Sequence, residues 1–564
     1  MEQRADDGPA MIVEKNVAVP VEDGTVLRAN VFRPQDDGRH PVIMTLGIYG
    51  KDVHFADGYA GQWEVLKRLH PDIDRTGSSG RYLRWEVVDP ERWVPHDYVV
   101  ITVDGRGSGQ SPGYLDPFSP RETQDFHDAI EWAAARPWSN GKIGLLGISY
   151  LAIKQWQVAA LRPPHLAAIV PWEGASDIYR EWSHQGGIFG NTFPTAWIPR
   201  QVTVTQHGNA ETPHRDRDTG ERTTGPALTE EMLEGNRAPH AEDLLHHPFD
   251  DAWYDARTPD FERIEVPLFS AGNWGGIGLH LRGNIEGFLR AGSKRKWLSI
   301  HIGTHFETFY APDYMALQRK FFDHFLKDAD NGWQDEPVVR LAVRRTDGAT
   351  TRMESEWPLA RTEWTWLYLD ARDGGLATAA PSEAARAQFA AEGAGADFST
   401  PPFEAETEFT GPVMARIWVS STTVDVDIFA TLRAFDPAGE EIVFVGASEA
   451  VPVSRGWLRA SHRRLDPALS TPYRPYHSHA AAEKLVPGEV YELEVEIWPT
   501  SIVLPEGYRL ELTLQGHDFE FPGVPGRMLH THPGDRPPEE FGGVTTVLTG
   551  GPHASYLMMP LIPK

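Results

Sequence analysis

Along the first third of the chain apolar residues follow two rhythms. NVAVPVEDGTVLRANVFRP alternates apolar and polar positions on both sides of Asp23-Gly24, a dipeptide suited to a tight turn, and predicts an opening β-hairpin. PVIMTLG (Pro41 to Gly47) and the run from Tyr98, YVVITVDGRGSGQSPG, are instead continuously apolar before a turn, the pattern of parallel strands buried on both faces. In ETQDFHDAIEWAAA the residues Phe126, Ala129, Ile130 and Ala133 recur at helical spacing, before Pro137 and Asn140-Gly141 stop the run. The strand KIGLLGIS, a second helical run ending at Pro163-Pro164 and the short strand LAAIVPW follow. Strand and helix alternating in this way predict a mostly parallel sheet with helices on both faces.

From about Ser176 to Asp260 that alternation gives way to polar, Trp- and His-rich sequence such as HGNAETPHRDRDTGERTTG, read as an inserted, partly helical cap. It resumes with VPLFSAGNWGG, a helix from about Gly278 to Ala291, the strand KWLSIHIG and the helix DYMALQRKFFDHFLK. Beyond Gly332 only strand-length alternating runs remain, among them VVRLAVRR, TWLYLD, VDIFATLRAFD and YRLELTLQG, which predict an antiparallel β-sandwich. The Ala-rich DGGLATAAPSEAARAQFAAEGAGA within this half reads as a mobile surface segment. The expected division is 1–175 and 261–335 for the parallel-sheet domain, 176–260 for the cap and 336–564 for the β-domain.

Composition supports more than one core, since 564 residues exceed the roughly 250 to 300 at which single cores stop growing. A formal charge of −27 repels phosphate backbones and anionic lipid, so neither nucleic acid nor a membrane surface is an expected partner. The chain has no cysteine, which removes disulfides, thiolate metal sites and cysteine nucleophiles together. MEQRADDGPAMIVEKNVAVPVEDG carries no basic segment followed by an apolar run, and no apolar stretch reaches membrane-spanning length. A cytoplasmic protein is expected, and a homo-oligomer is compatible with the sequence.

The chemistry centres on GLLGISYLAIKQW. Ser149 stands where a strand meets a helix, Gly147 leaves room for a sharp turn, and the Tyr150 backbone N–H would point from the helix N-terminus at an oxyanion. The alternative is an N-cap serine, common at such junctions. The fifth position of the G-x-S-x-G pattern is Leu151, so the motif does not decide between them.

GISYLA resembles the G-x-S-Y-x-G elbow of the superfamily containing cocaine esterase, α-amino-acid ester hydrolases and X-prolyl dipeptidyl peptidases, with Ala152 in place of the last glycine. VDGRGSGQSPG, WAAARPWSNGKIG and LVPGEVYELEVEIWPTSIVLPEGYRLELTL are similar to further segments of that superfamily. The resemblance implies an α/β-hydrolase fold with a helical cap and a C-terminal all-β jelly-roll domain, Ser149 as nucleophile, and Tyr49 of GIYGK as an oxyanion-hole hydroxyl beside the Tyr150 N–H. A serine needs a base, and His305, in the loop after KWLSIHIG, follows the nucleophile in the order this fold uses. His280, His301 and His324 read as structural.

The third member departs from the superfamily. Where the relatives place an aspartate, AGNWGGIGLHLRGN has Gly275, and the next carboxylate, Glu286, lies inside a helix. Three readings stay open: another carboxylate has taken over, Asn273 orients the histidine as a neutral partner, or catalysis is lost. Glu173 in VPWEGASD ends the neighbouring strand, and strands lie only ~4.8 Å apart, so its longer side chain reaches the same imidazole. Its alternative role is to bind a substrate ammonium. Asp177 is further into the cap, and Glu307 is too close to His305 on one loop. Trp172, Trp182, Phe189, Phe193, Trp197 and Trp274 are candidate substrate-pocket residues.

The expectation is a serine hydrolase that cleaves a small-molecule carboxylic ester, or an amide, through an acyl-enzyme on Ser149, with no metal or organic cofactor. Alternatives are an X-Pro dipeptidyl peptidase or α-amino-acid ester hydrolase, and, from another class, a ligand- or carbohydrate-binding protein on a decayed hydrolase.

Overall fold

The computed structural model describes residues 11–447, 449–524 and 526–564; the first ten residues of the opening stretch lie outside these. In chain order the strands of the first half are β1 (Met11–Pro20), β2 (Val26–Pro34), β3 (His40–Gly47), β4 (Val99–Asp104), β5 (Ser139–Ile148), β6 (Leu166–Trp172), β7 (His184–Gln185), β8 (Ile188–Phe189), β9 (Leu268–Asn273), β10 (Lys296–His301), β11 (Val339–Arg345) and β12 (Gly348–Glu354). β1 and β2 form the expected hairpin, with Pro20 opposite Val26 and Gly24 in the turn at φ +85°. The sheet then runs β1-β2-β4-β3-β5-β6-β9-β10-β11-β12, parallel from β4 to β11 and antiparallel at both ends.

Both faces are covered, as the continuously apolar runs require. Val42 and Met44 of β3 pack with Phe126 and Ile130 of the helix Pro120–Ala134 and with Trp156 of the helix Tyr150–Leu161. Ile43, pointing the other way, shares a core with Phe321, Phe322 and Leu326 of the helix Pro312–Lys327. The helix Pro120–Ala134 starts where Ser119 accepts the Glu122 N–H at 3.3 Å and Pro120 supplies a preset φ at the first position.

The sheet does not stop at the expected boundary. The sequence pattern assigns VVRLAVRR to the β-domain, but β11 pairs in parallel with β10, Leu298 opposite Val339, and also touches the β-domain strand Tyr491–Leu504 at Arg344. The sheet of the first half therefore runs into the second. The Ala-rich stretch is corrected as well. It supplies strands Ala385–Ala390, paired with Val544–Thr549, and Ala396–Ser399, paired with Arg509–Gln515. Single large anchors, Leu376, Phe389 and Phe398, sink into the β-domain core, and the alanines between them hide that pattern from a periodicity reading.

Between β6 and β9 the cap holds a π-helical turn (Ile178–Ser183), the small β7–β8 hairpin and helices of at most seven residues. It is stitched to the β-domain: the Gly186 carbonyl accepts the Arg459 N–H at 2.8 Å, and Asp535 accepts the Phe189 N–H at 3.1 Å. No helix among the described residues is long and apolar enough to cross a membrane.

Candidate active site

Ser149 sits between β5 and its helix at φ 56°, ψ −117°, and its side chain caps no helix N–H. The N-cap alternative is thereby removed, because an N-cap residue is extended and its side chain accepts from the first turn. A Cβ on Gly147 would lie 2.7 Å from the Leu151 Cβ, so the tight turn needs glycine at that position. The Ser149 N–H donates to the Trp172 and Glu173 carbonyls at 3.0 and 3.1 Å, locking the elbow to the end of β6. Tyr150 opens the helix, so its N–H has no intrahelical acceptor.

Glu173, the first residue after β6, is fully buried and also holds a positive φ of 44°. Its Oε2 lies 2.8 Å from the His305 Nδ1. Its Oε1 accepts from the Asn273 amide at 3.2 Å and lies 3.5 Å from the His301 Nε2. Asn273 thus braces the carboxylate, not the His305 imidazole, while its own Oδ1 accepts the Gly275 N–H at 2.8 Å. Asp177 is taken up by Arg180, and Glu307 accepts the Thr304 N–H.

Two features lie outside the sequence reading. The hydrogen-bond partner of the Ser149 hydroxyl is His280, expected to be structural, at 3.1 Å from its Nε2. The His280 Nδ1 accepts the Ala175 N–H at 3.2 Å, so the ring hydrogen is on Nε2 and His280 donates to Ser149. Burial, helped by the neighbouring His305, drives the His280 pKa well below the usual value, which keeps the ring neutral. The second feature is Glu86, whose Oε1 lies 3.1 Å from the His305 Nε2. Although burial opposes the charge, Glu173 and Glu86 raise the His305 pKa to about 10, so the ring is an imidazolium at neutral pH. No local pattern marks either residue: His280 precedes a helix, and Glu86 belongs to a loop far from Ser149 in sequence.

A cavity of about 700 Å³ opens over Ser149, lined by His280, His305, Glu86, Tyr49 and Trp85. The Tyr49 hydroxyl accepts from the Trp197 Nε1 at 3.2 Å, which leaves its own hydrogen to be donated. Of the six candidate pocket residues, Phe193 and Trp197 line this cavity. The other four are core residues. Trp172 stacks on His301 behind the elbow, Trp182 packs on Phe118 and Trp197, Phe189 stacks on His184, and Trp274 donates to the Ala342 carbonyl at 2.7 Å. Of the four candidates that lie in the cap, Phe193 and Trp197 face the cavity while Trp182 and Phe189 pack behind it.

The β-domain closes the cavity with a hairpin made of Phe444–Val445 and Ala450–Val451. Its Ala447 carbonyl accepts the His305 N–H at 2.9 Å, and its Ala447 N–H donates to the Gly275 carbonyl at 3.1 Å. A Cβ on Gly275 would stand 2.4 Å from the Gly446 Cα. The place that the resemblance gives to an aspartate, and that Gly275 holds in this chain, is closed off by backbone from the β-domain.

Comparison with known proteins gives matches over most of the chain. The family model described as X-Pro dipeptidyl-peptidase (S15 family) matches residues 23–307, and that of the X-Pro dipeptidyl-peptidase C-terminal non-catalytic domain matches 331–558. Cocaine esterase of Rhodococcus sp. is 25% identical, over 98% of this chain and 99% of its own. A putative Xaa-Pro dipeptidyl-peptidase of Streptomyces avermitilis is 23% identical, over 78% of this chain and 70% of its own. Among solved structures, a CocE/NonD family hydrolase from Staphylococcus aureus superposes with TM-score 0.84 at 34% identity, covering 98% of this chain and 94% of that one.

Proposed function

We propose, on the premise that this chain belongs to the S15 X-Pro dipeptidyl-peptidase family and is a hydrolase, that it cleaves a carboxylic ester through an acyl-enzyme on Ser149. The observation that carries the reading is the elbow serine at positive φ facing a cavity with a carboxylate-backed imidazole on its wall. His305 is the base in this reading and Glu173 its orienting carboxylate, because His280 presents a donor to the serine and His305 has the acid behind Nδ1. The His280 N–H accepts no proton; by donating to Oγ it leaves the serine O–H for His305, once that ring has given up its Nε2 proton. Tyr49 and the Tyr150 N–H then receive the oxyanion, each worth about 3 kcal/mol in the transition state. Glu173, fully buried and bonded on both oxygens, is not offered to a substrate ammonium. The β-domain, read as a jelly roll, contributes a wall of the acyl pocket and no reacting group.

Labelling with a fluorophosphonate, followed by a panel of p-nitrophenyl esters, aminoacyl esters and X-Pro anilides, tests this. Label on Ser149, and loss of both label and ester turnover in Ser149→Ala, are expected. A Ser149→Ala protein that still hydrolyses the same esters would end the reading, and turnover confined to the X-Pro anilides would replace it with the dipeptidase.

A further inference from the structure

Glu86 is a strained residue in the wall of the cavity, at φ 64°. Non-glycine residues in that region cost of order 1 to 3 kcal/mol and persist where the surroundings over-determine them. The surroundings do so. The Ile148 N–H, one residue before the nucleophile, donates to the Glu86 carbonyl at 3.1 Å, and the Tyr310 hydroxyl donates to the Val87 carbonyl at 2.8 Å. Trp85 is stacked on Tyr59 with ring centroids 4.1 Å apart. The carboxylate of Glu86 is therefore delivered to one spot, the Nε2 of His305, which is the nitrogen the serine proton must reach.

We propose that Glu86 is a positioning residue that holds His305 in its doubly protonated form, with Nε2–H committed to a carboxylate, so that the site rests in a latched state. This rests on the reading of His305 as base given above. With Nδ1–H on Glu173 and Nε2–H on Glu86 the ring has no lone pair for Ser149, and catalysis begins only after one proton leaves to solvent. The groups that face this pair are few. His305 meets Glu173 from the end of β6, Glu86 from its loop and the stacked, neutral His280; Glu173 also meets His301, and Glu86 feels the Tyr49, Tyr59 and Tyr310 hydroxyls, burial raising its own pKa while His305 pulls it back down. Glu307, on the His305 loop, is turned to the Thr304 N–H. Each anion raises the basicity of His305, which strengthens it as a base and postpones the pH at which it is free to act.

The test replaces Glu86 by Gln, which keeps the shape and removes the charge. In the Ser149→Ala background, NMR titration of the His305 ring in the full chain reads the latch with no activity involved. The apparent pKa is expected to fall by about 1 to 3 in Glu86→Gln, the effect of removing an adjacent opposite charge. An unmoved titration overturns the proposal. In chains that retain Ser149, the acid limb of kcat/KM is expected to move down in pH with the ring. On that limb Glu86→Gln then outruns the native enzyme, by about tenfold for each pH unit the limb moves. A merely structural glutamate would lower the rate at every pH and leave the limb in place, which also overturns the proposal. If the ring titration moves while Ser149 takes no label at any pH, the latch stands and the proposed function fails.

Discussion

A carboxylate behind a catalytic histidine does its work by fixing one tautomer and by stabilising the imidazolium as it forms. At the residue scale that role falls to Glu173, and Glu173→Gln should lower kcat by about 10⁴ with little change in KM, as loss of the charge with geometry kept does elsewhere. Steady-state kinetics on a p-nitrophenyl ester would measure it; a change confined to KM would assign Glu173 to binding instead. The two histidines should separate as sharply. His280→Phe removes one neutral hydrogen bond to Oγ, about 1 kcal/mol or five- to tenfold in rate, whereas His305→Ala should cost several orders of magnitude. Equal losses would make His280 the base. Glu173 was legible in the sequence because a strand end, a known strand spacing and a missing aspartate define where a substitute must stand. His280 and Glu86 were not, since each reaches the site through tertiary packing and, in Glu86, through a backbone conformation that a glutamate has no intrinsic preference for.

Elements built by periodicity were legible from the sequence, and those built by single anchors were not. The β1–β2 hairpin, the parallel strands and the long helices lie where alternating or helical patterns put them. The Ala-rich strands and the extension of the sheet through β11 escaped, because alanine carries little signal and β11 has the same pattern whether it pairs with β10 or within a sandwich. The hairpin Phe444–Val445/Ala450–Val451 belongs to the same class. Its backbone against Gly275 gives a prediction at this scale: Gly275→Asp must displace main chain and should destabilise the protein by about 1 to 3 kcal/mol, the range for overpacking. Thermal unfolding of the variant would show it. Nor should that aspartate restore turnover to Glu173→Gln, and a rescued kcat would show that the hairpin yields.

For the whole molecule, the junction between the halves is electrostatic as well as apolar. Asp535, in the β-domain, bonds Arg459 and accepts the Phe189 N–H of the cap. Although burial opposes ionisation, Arg459 lowers its pKa from 3.8 to about 2. A depressed carboxylate contributes stability that is fully present above its unfolded pKa and lost as pH falls towards the folded one. The cap should therefore loosen between about pH 4 and pH 2, and Asp535→Asn should flatten that part of a stability-against-pH curve while lowering stability at pH 7. The meeting of Gly275 with Gly446 has a further consequence, for descent. Only the glycine codons GGT and GGC become aspartate codons by a single base change, and in this fold even that step meets main chain from the β-domain, near a histidine already served by Glu173. Selection for aspartate at 275 from a random library should then return it only with a second lesion that shortens or shifts the hairpin, so an acid at that position is reached through two changes at once.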